Sequence, residues 1–252
     1  MSFRLLAFLL ISVLGLHAGP TFYALSFGTS PVLGTIDPNT GAVTTIGAPL
    51  TGSGHDLTVS PSGSIYAIVD DNLLSIDKST GLASTIGVLP ADAESLAFRS
   101  DGTLFVASHT ALFLVNPLTA SGTLIGPMNL PANADNIRFD GSGNLYVMSA
   151  EANSGLYLLN TSTAATTLIG SSGQDDISLG AFFGGVFIGT NAPVTGEIVN
   201  VNPATGAATV GAPVNGIYLL ALDPTSVPEP GTFGLLLAGA VLVGFVRKYR
   251  VP

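Results

Sequence analysis

Carboxylates and a histidine recur in this chain just ahead of short apolar runs. Two residues before the first apolar position of such a run stand His55, Glu94, Asp135 and Asp175, with Tyr218 ahead of a fifth run. The position that follows holds Asp56, Ser95, Asn136, Asp176 and Leu219. Carboxylates gathered with Asn and Ser oxygens are the donor set of a hard cation such as Ca²⁺, whereas Zn²⁺ wants imidazole or thiolate. A carboxyl pair with one member held neutral by burial is also what acid–base chemistry requires. The plainer reading is that strands begin in solvent, where polar side chains are expected. If the runs converge, His55, Asp56, Glu94, Asp135, Asn136, Asp175 and Asp176 form one polar ring, a site for a cation or a ligand.

Other chemistry is scarce. There is no Cys, which removes thiolate catalysis and Cys-bound metals. No Gly-x-Ser-x-Gly elbow, phosphate-binding loop or Gly-x-Gly-x-x-Gly fingerprint is present. His109, in "ASHTALF", reads as a surface turn residue. No Arg or Lys stands at the ring positions to hold an anionic sugar. The turns "IDPNTG", "IDKSTG" and "VNPATG" are mechanical: Asp37, Asp77 and Asn202 accept bonds from backbone two residues on, and Gly41, Gly81 and Gly206 supply positive φ. They lack the alternating oxygens and distal Glu of a Ca²⁺ loop of the helix–loop–helix type.

The elements that must position the ring are repeated. "TIDPNTGAVTTIG", "SIDKSTGLASTIG", "LVNPLTASGTLIG", "LLNTSTAATTLIG" and "VNVNPATGAATVG" end at Gly47, Gly87, Gly126, Gly170 and Gly211, spaced 40, 39, 44 and 41 apart. A second hairpin precedes four of them, as in "HDLTVSPSGSIYAIV". In the second unit the strands are expected at residues 56–60, 64–69, 72–77 and 82–86. Strands this short bury an apolar face only when units stack. A four-stranded repeat of this length, with Tyr23, Tyr66, Phe105, Tyr146 or Phe187 in its second strand, predicts an all-β, five-bladed β-propeller over residues 19–226. A six-bladed ring with one degenerate blade, a solenoid and a sandwich are the alternatives. "YLLALDPTS" matches the missing first strand of the unit that begins at Thr21, so the two ends of the domain are expected to pair and close the ring.

Composition agrees. Gly and Pro together number 47, and only 9% of residues are charged, against about 25% in an ordinary soluble chain. Between residues 19 and 226 the basic residues are Lys78, Arg99 and Arg138, against 15 acidic ones. Such a surface repels nucleic acid. The first 18 residues, one Arg and then Leu5 to Leu16 before Ala18, read as a secretory signal peptide.

The last 26 residues, "VPEPGTFGLLLAGAVLVGFVRKYRVP", resemble a PEP-CTERM sorting signal. Its three parts are Val227, Pro228, Glu229 and Pro230, the apolar run 231–246, and the basic cluster Arg247, Lys248 and Arg250. The run is expected as a transmembrane sorting helix, with the cations cytoplasmic and the propeller outside. A plain C-terminal anchor and a core helix are the alternatives. The resemblance implies processing by an exosortase-like protease, a transient membrane anchorage, and release to the cell surface or extracellular matrix of a bacterium that makes exopolysaccharide. The repeats are also similar to a broad class of secreted propellers with LYxIDxxTGxxTxIG units, a likeness that implies a fold and not a job. The expected function is a binding or structural role associated with extracellular polysaccharide or surface proteins. A polysaccharide lyase or hydrolase at the channel mouth and a protein-interaction scaffold are the alternatives.

Overall fold

The computed structural model describes residues 19–226, apart from residues 91, 151–153, 192–195, 215 and 217. Within it, residues 20–226 belong to one compact unit. The segment read as a signal peptide and residues 227–252 lie outside the described residues.

Twenty short strands fold into five antiparallel sheets of four. The first sheet contains β1 (Phe22–Ser26), β2 (Leu33–Ile36) and β3 (Val43–Ile46). The second is β4 (Gly54–Val59), β5 (Ile65–Val69), β6 (Asn72–Ile76) and β7 (Ala83–Val88). The third is β8 (Ala93–Phe98), β9 (Leu104–Ser108), β10 (Ala111–Val115) and β11 (Gly122–Pro127). The fourth is β12 (Ala134–Phe139), β13 (Leu145–Ser149), β14 (Gly155–Leu159) and β15 (Thr166–Ser171). The fifth is β16 (Ile177–Phe183), β17 (Val186–Asn191), β18 (Glu197–Val201) and β19 (Ala208–Pro213). β20 (Tyr218–Leu222) then pairs with β1, Phe22 opposite Leu222 and Ser26 opposite Tyr218, and completes the first sheet. The inner strands β4, β8, β12, β16 and β20 contact one another in a closed cycle. This is a five-bladed propeller of four-stranded blades.

Alternation along each strand explains why single blades do not suffice. In β5, Ile65 and Ala67 join a core shared with the first blade, while Ile68, with Tyr66 packed against the same cluster, faces the third. Five such cores fill the five gaps between neighbouring blades. Aromatic contacts run across the gaps: Tyr66 meets Phe98 at 5.1 Å, and Phe105 meets Phe139 at 5.6 Å between ring centroids.

The glycine that ends each of the first four repeats has a packing reason. It sits where the turn of the next blade arrives. A Cβ on Gly170 would stand 2.1 Å from the Thr205 carbonyl oxygen, and one on Gly87 would stand 2.7 Å from that of Thr119. The turn itself needs positive φ: 72° at Gly81, and 61° and 60° at Ala120 and Ala164, which hold the equivalent place in the third and fourth repeats.

Closure is locked by side chains as well as by the β1–β20 ladder. The Thr21 amide donates to Ser226 Oγ at 2.8 Å, and the Asp223 amide to the Thr21 carbonyl at 2.9 Å. One part of the expected fold class is corrected. Among the described residues the helical element is the short 3-10 turn Pro224–Ser226, and no helix is long and apolar enough to cross a membrane. The run 231–246, expected as a transmembrane sorting helix, lies outside the described residues. The transient membrane anchorage expected from that helix has no membrane-spanning helix to carry it among the described residues.

Candidate functional site at the channel mouths

The inner strands all begin at one mouth of the central channel, the upper mouth, and end at the other. In β4, β8 and β12 the pairing slips by one residue just after the strand starts. Gly54 faces Val69 and Asp56 faces Ile68; Ala93 faces Ser108 and Ser95 faces Ala107; Ala134 faces Ser149 and Asn136 faces Met148. The residues left over are His55, Glu94 and Asp135. A bulge of this kind re-aims its extra side chain. Three polar groups at partly exposed positions therefore stand at one level of the upper mouth, while Asp56, Ser95 and Asn136 beneath them are buried.

Glu94 is bridged by two imidazoles. His55 Nδ1 lies 3.0 Å from its Oε2, and His109 Nε2 lies 3.1 Å from its Oε1. The hydrogen bond to Glu94 raises the His55 pKa above the usual histidine value, against the opposing effect of desolvation. Desolvation pushes the Asp135 carboxyl up to about 7, helped by the nearby charges of Asp56, Glu94 and Asp176 and opposed by Arg138. His109, expected as a surface turn residue, is thus part of the mouth.

Below this level the polar side chains stitch the inner strands together. Asp56 Oδ2 accepts from the Leu96 amide at 3.0 Å and from Ser95 Oγ at 2.6 Å. Ser95 Oγ accepts from the Ile137 amide at 2.9 Å, and Asn136 Oδ1 from the Leu179 amide at 3.0 Å. Arg138, 5% exposed, reaches across the channel from the fourth blade to the second. Its two terminal nitrogens bind both oxygens of Asp56, Nη1 at 2.7 Å, and Nη1 also donates to the Ile137 carbonyl at 2.7 Å. The side chains at its register in the other blades, opposite Tyr66, Phe105, Phe187 and Tyr23, are Thr58, Ala97, Phe182 and Ala221. A lone charge at a position otherwise uncharged was the available signal; it lies below the ring positions, which themselves carry no Arg or Lys as expected.

The ring is therefore incomplete. His55, Asp56, Glu94, Asp135 and Asn136 gather at the upper mouth. Asp175 and Asp176 lie exposed in the loop ahead of β16, with Asp176 near enough for its charge to act on Asp135. In that strand the slip comes later, between Ser178 and Ala181, so Leu179 and Gly180 occupy the level held by Asp135 and Asn136 in the fourth blade. Tyr218, partly buried at the start of β20, accepts on its carbonyl from Thr190 Oγ1 at 2.7 Å. Ca²⁺ does not fit this arrangement. Asp56 is engaged by Arg138 and Glu94 by two imidazoles, and among the described residues no group of three or more His, Asp or Glu is placed to hold a metal.

The two ends of the ring, at Thr21 and Ser226, meet at the lower mouth. The residues that follow decide how the chain is classed for transport. Residues 226–251 match the PEP-CTERM protein-sorting motif. Val227, Pro228, Glu229, Pro230, Arg247, Lys248 and Arg250 fall within that match and outside the described residues. No curated protein matches the chain. Among solved structures the propeller is similar to TolB from Acinetobacter baumannii, with a TM-score of 0.53 and 10% identity over 82% of this chain and 67% of that one. It is similar to a chain of a nidogen/laminin complex, with a TM-score of 0.56 and 9% identity over 81% and 98%. It is also similar to an auxiliary nutrient binding protein from Bacteroides ovatus, with a TM-score of 0.53 and 12% identity over 74% of this chain and 53% of that one. Likeness at this identity establishes the fold alone.

Proposed function

We propose that this chain is an exported five-bladed propeller that acts at the cell surface or in the extracellular matrix by binding, with extracellular polysaccharide as its ligand class. The observation that carries this reading is the PEP-CTERM match, which begins at Ser226, the residue whose hydroxyl ties the ring shut. By the same resemblance an exosortase-like protease processes the tail, after a signal peptide has been removed near Ala18. The neighbours support a binding role in a general way, since two of them are titled as a nutrient binding protein and as part of a nidogen/laminin complex. The upper mouth is the better face for contact, because both ends of the domain leave from the other side. Tagged full-length chain should collect in the extracellular matrix fraction of the producing cells, and chain ending at Ser226 should not. Equal distribution of the two would overturn the export reading.

A second reading has one observation in its favour. Asp135, its carboxyl pKa pushed up to about 7, stands near Glu94 at a channel mouth, the kind of pairing that general acid–base cleavage of a polysaccharide requires. Glu94 is occupied by His55 and His109, which favours binding over cleavage. Release of reducing ends or unsaturated sugars from the polysaccharide, lost in Asp135→Asn, would establish the enzyme. A scaffold for surface proteins draws on the apolar edge residues Leu124 and Leu168, each 59% exposed on the outer strands of neighbouring blades.

A further inference from the structure

Where the inner strands end, at the lower mouth, the channel opens into a hollow of about 300 Å³. All five blades line it, and the Asp56–Arg138 pair above it, joined by Ser95, spans the channel from the second blade to the fourth. The hollow is thus a cup with a floor, separate from the acidic upper mouth.

Its lining is unusual for the end of a strand, where polar side chains are the rule. Phe98, Phe139 and Phe182, all partly exposed, come from three successive blades, with Val59 and Leu222 from the other two. The charges that touch it are already engaged, apart from the buried Nε of Arg138, which has no hydrogen-bond partner among the described residues. Arg138 is held by Asp56, and Asp140 accepts from the Ser142 and Asn144 amides at 2.9 and 2.8 Å, from Asn144 Nδ2 and from the Tyr146 hydroxyl. A charged ligand would meet no free counter-charge there, and a sugar with a full set of hydroxyls would meet few partners. The volume lies at the small end of ligand pockets and matches one or two fused rings. Aromatic side chains on several sides favour a ring stacked face or edge against them.

We propose that this cup is a binding site for a small uncharged molecule with an aromatic or alicyclic ring, seated against Phe98, Phe139 and Phe182 with the exposed Ser100 at its rim. The site is distinct from the one assigned to polysaccharide, and its ligand is of a different class.

The domain 20–227 is suited to the test, because its five cores and its closing strand lie within it. Indole is the probe, with benzoate as a charged ring and glucose as an uncharged polar one, each titrated into isotope-labelled protein and followed by amide chemical shifts. Indole should give saturable shifts confined to the ends of β4, β8, β12, β16 and β20, and should bind at least tenfold more tightly than benzoate or glucose. Phe182→Ala should weaken indole at least tenfold. Ser100→Trp, a substitution at an exposed turn that blocks the mouth without touching a core, should do the same and guards against misfolding of the first variant. Shifts that are absent or scattered, benzoate binding as tightly as indole, or indole binding unchanged in Ser100→Trp would overturn the proposal.

Discussion

Asp56 and Arg138 show what a single pair does in the throat of a narrow ring. Removing one partner of a buried ion pair leaves the other charged and unpaired, which costs about 3–5 kcal/mol. Arg138→Met should lower stability by that order in urea unfolding, and adding Asp56→Asn should restore part of the loss. Asp135 behaves in the opposite sense. Its folded pKa, about 7, lies above the unfolded carboxyl value, so the folded state holds the proton more tightly. That stability is complete below about pH 4 and is lost as pH rises through about 7, at up to about 1.4 kcal/mol per unit. The raised His55 pKa works in the same direction: its contribution is complete below about 6.5 and is lost as pH rises through the higher folded value. Asp135→Asn should therefore be more stable than the parent at pH 8 by thermal melting, with the gap closing toward pH 5. The polar residues ahead of the inner strands were legible in the sequence, since each precedes an apolar onset. Asp175 and Asp176 stand outside the level of the other three because register is set by the partner strand, and β16 places its bulge after Ser178.

At the scale of the element, the repeat explains itself through its glycines. Gly170 has an ordinary backbone, so what excludes a side chain there is the Thr205 carbonyl of the next blade. Gly170→Ala should destabilise the domain by about 1–3 kcal/mol, the usual cost of overpacking. Gly102→Ala has open space and pays only for its positive φ of 87°, about 1–2 kcal/mol. Crystal structures of the two variants would separate the causes, with Thr205 displaced in the first and no neighbour displaced in the second. The strands expected for the second unit fall within two residues of β4 to β7. Alternating apolar residues and turn chemistry carry that information locally. The cup at the lower mouth is different, because Phe98, Phe139 and Phe182 read as ordinary strand residues until the ring brings their blades together.

At the scale of the molecule, the ring is held by one non-local pairing. β20 lies about 200 residues from β1 along the chain, yet it supplies the inner strand of the first blade and the tie from Thr21 to Ser226. Chain ending before Tyr218 should lose hydrogen-exchange protection in β1, β2 and β3 first, and the other blades should follow because the first and fifth share a core. Protection unchanged in β1 would mean that the closure is ornamental. This long-range pairing was visible in the sequence because a propeller repeat with a missing first strand calls for its complement. The sorting motif was visible too, in 26 residues of local pattern, whereas what the propeller binds depends on surfaces that no local pattern describes. The most direct test of the whole account is retention of the domain 20–227 on the producing cell's own extracellular polysaccharide. Saturable retention that falls at least tenfold when both His55 and Glu94 are changed to Ala, with the fold intact, is the predicted result. Absence of retention, or retention indifferent to the upper mouth, would contradict it.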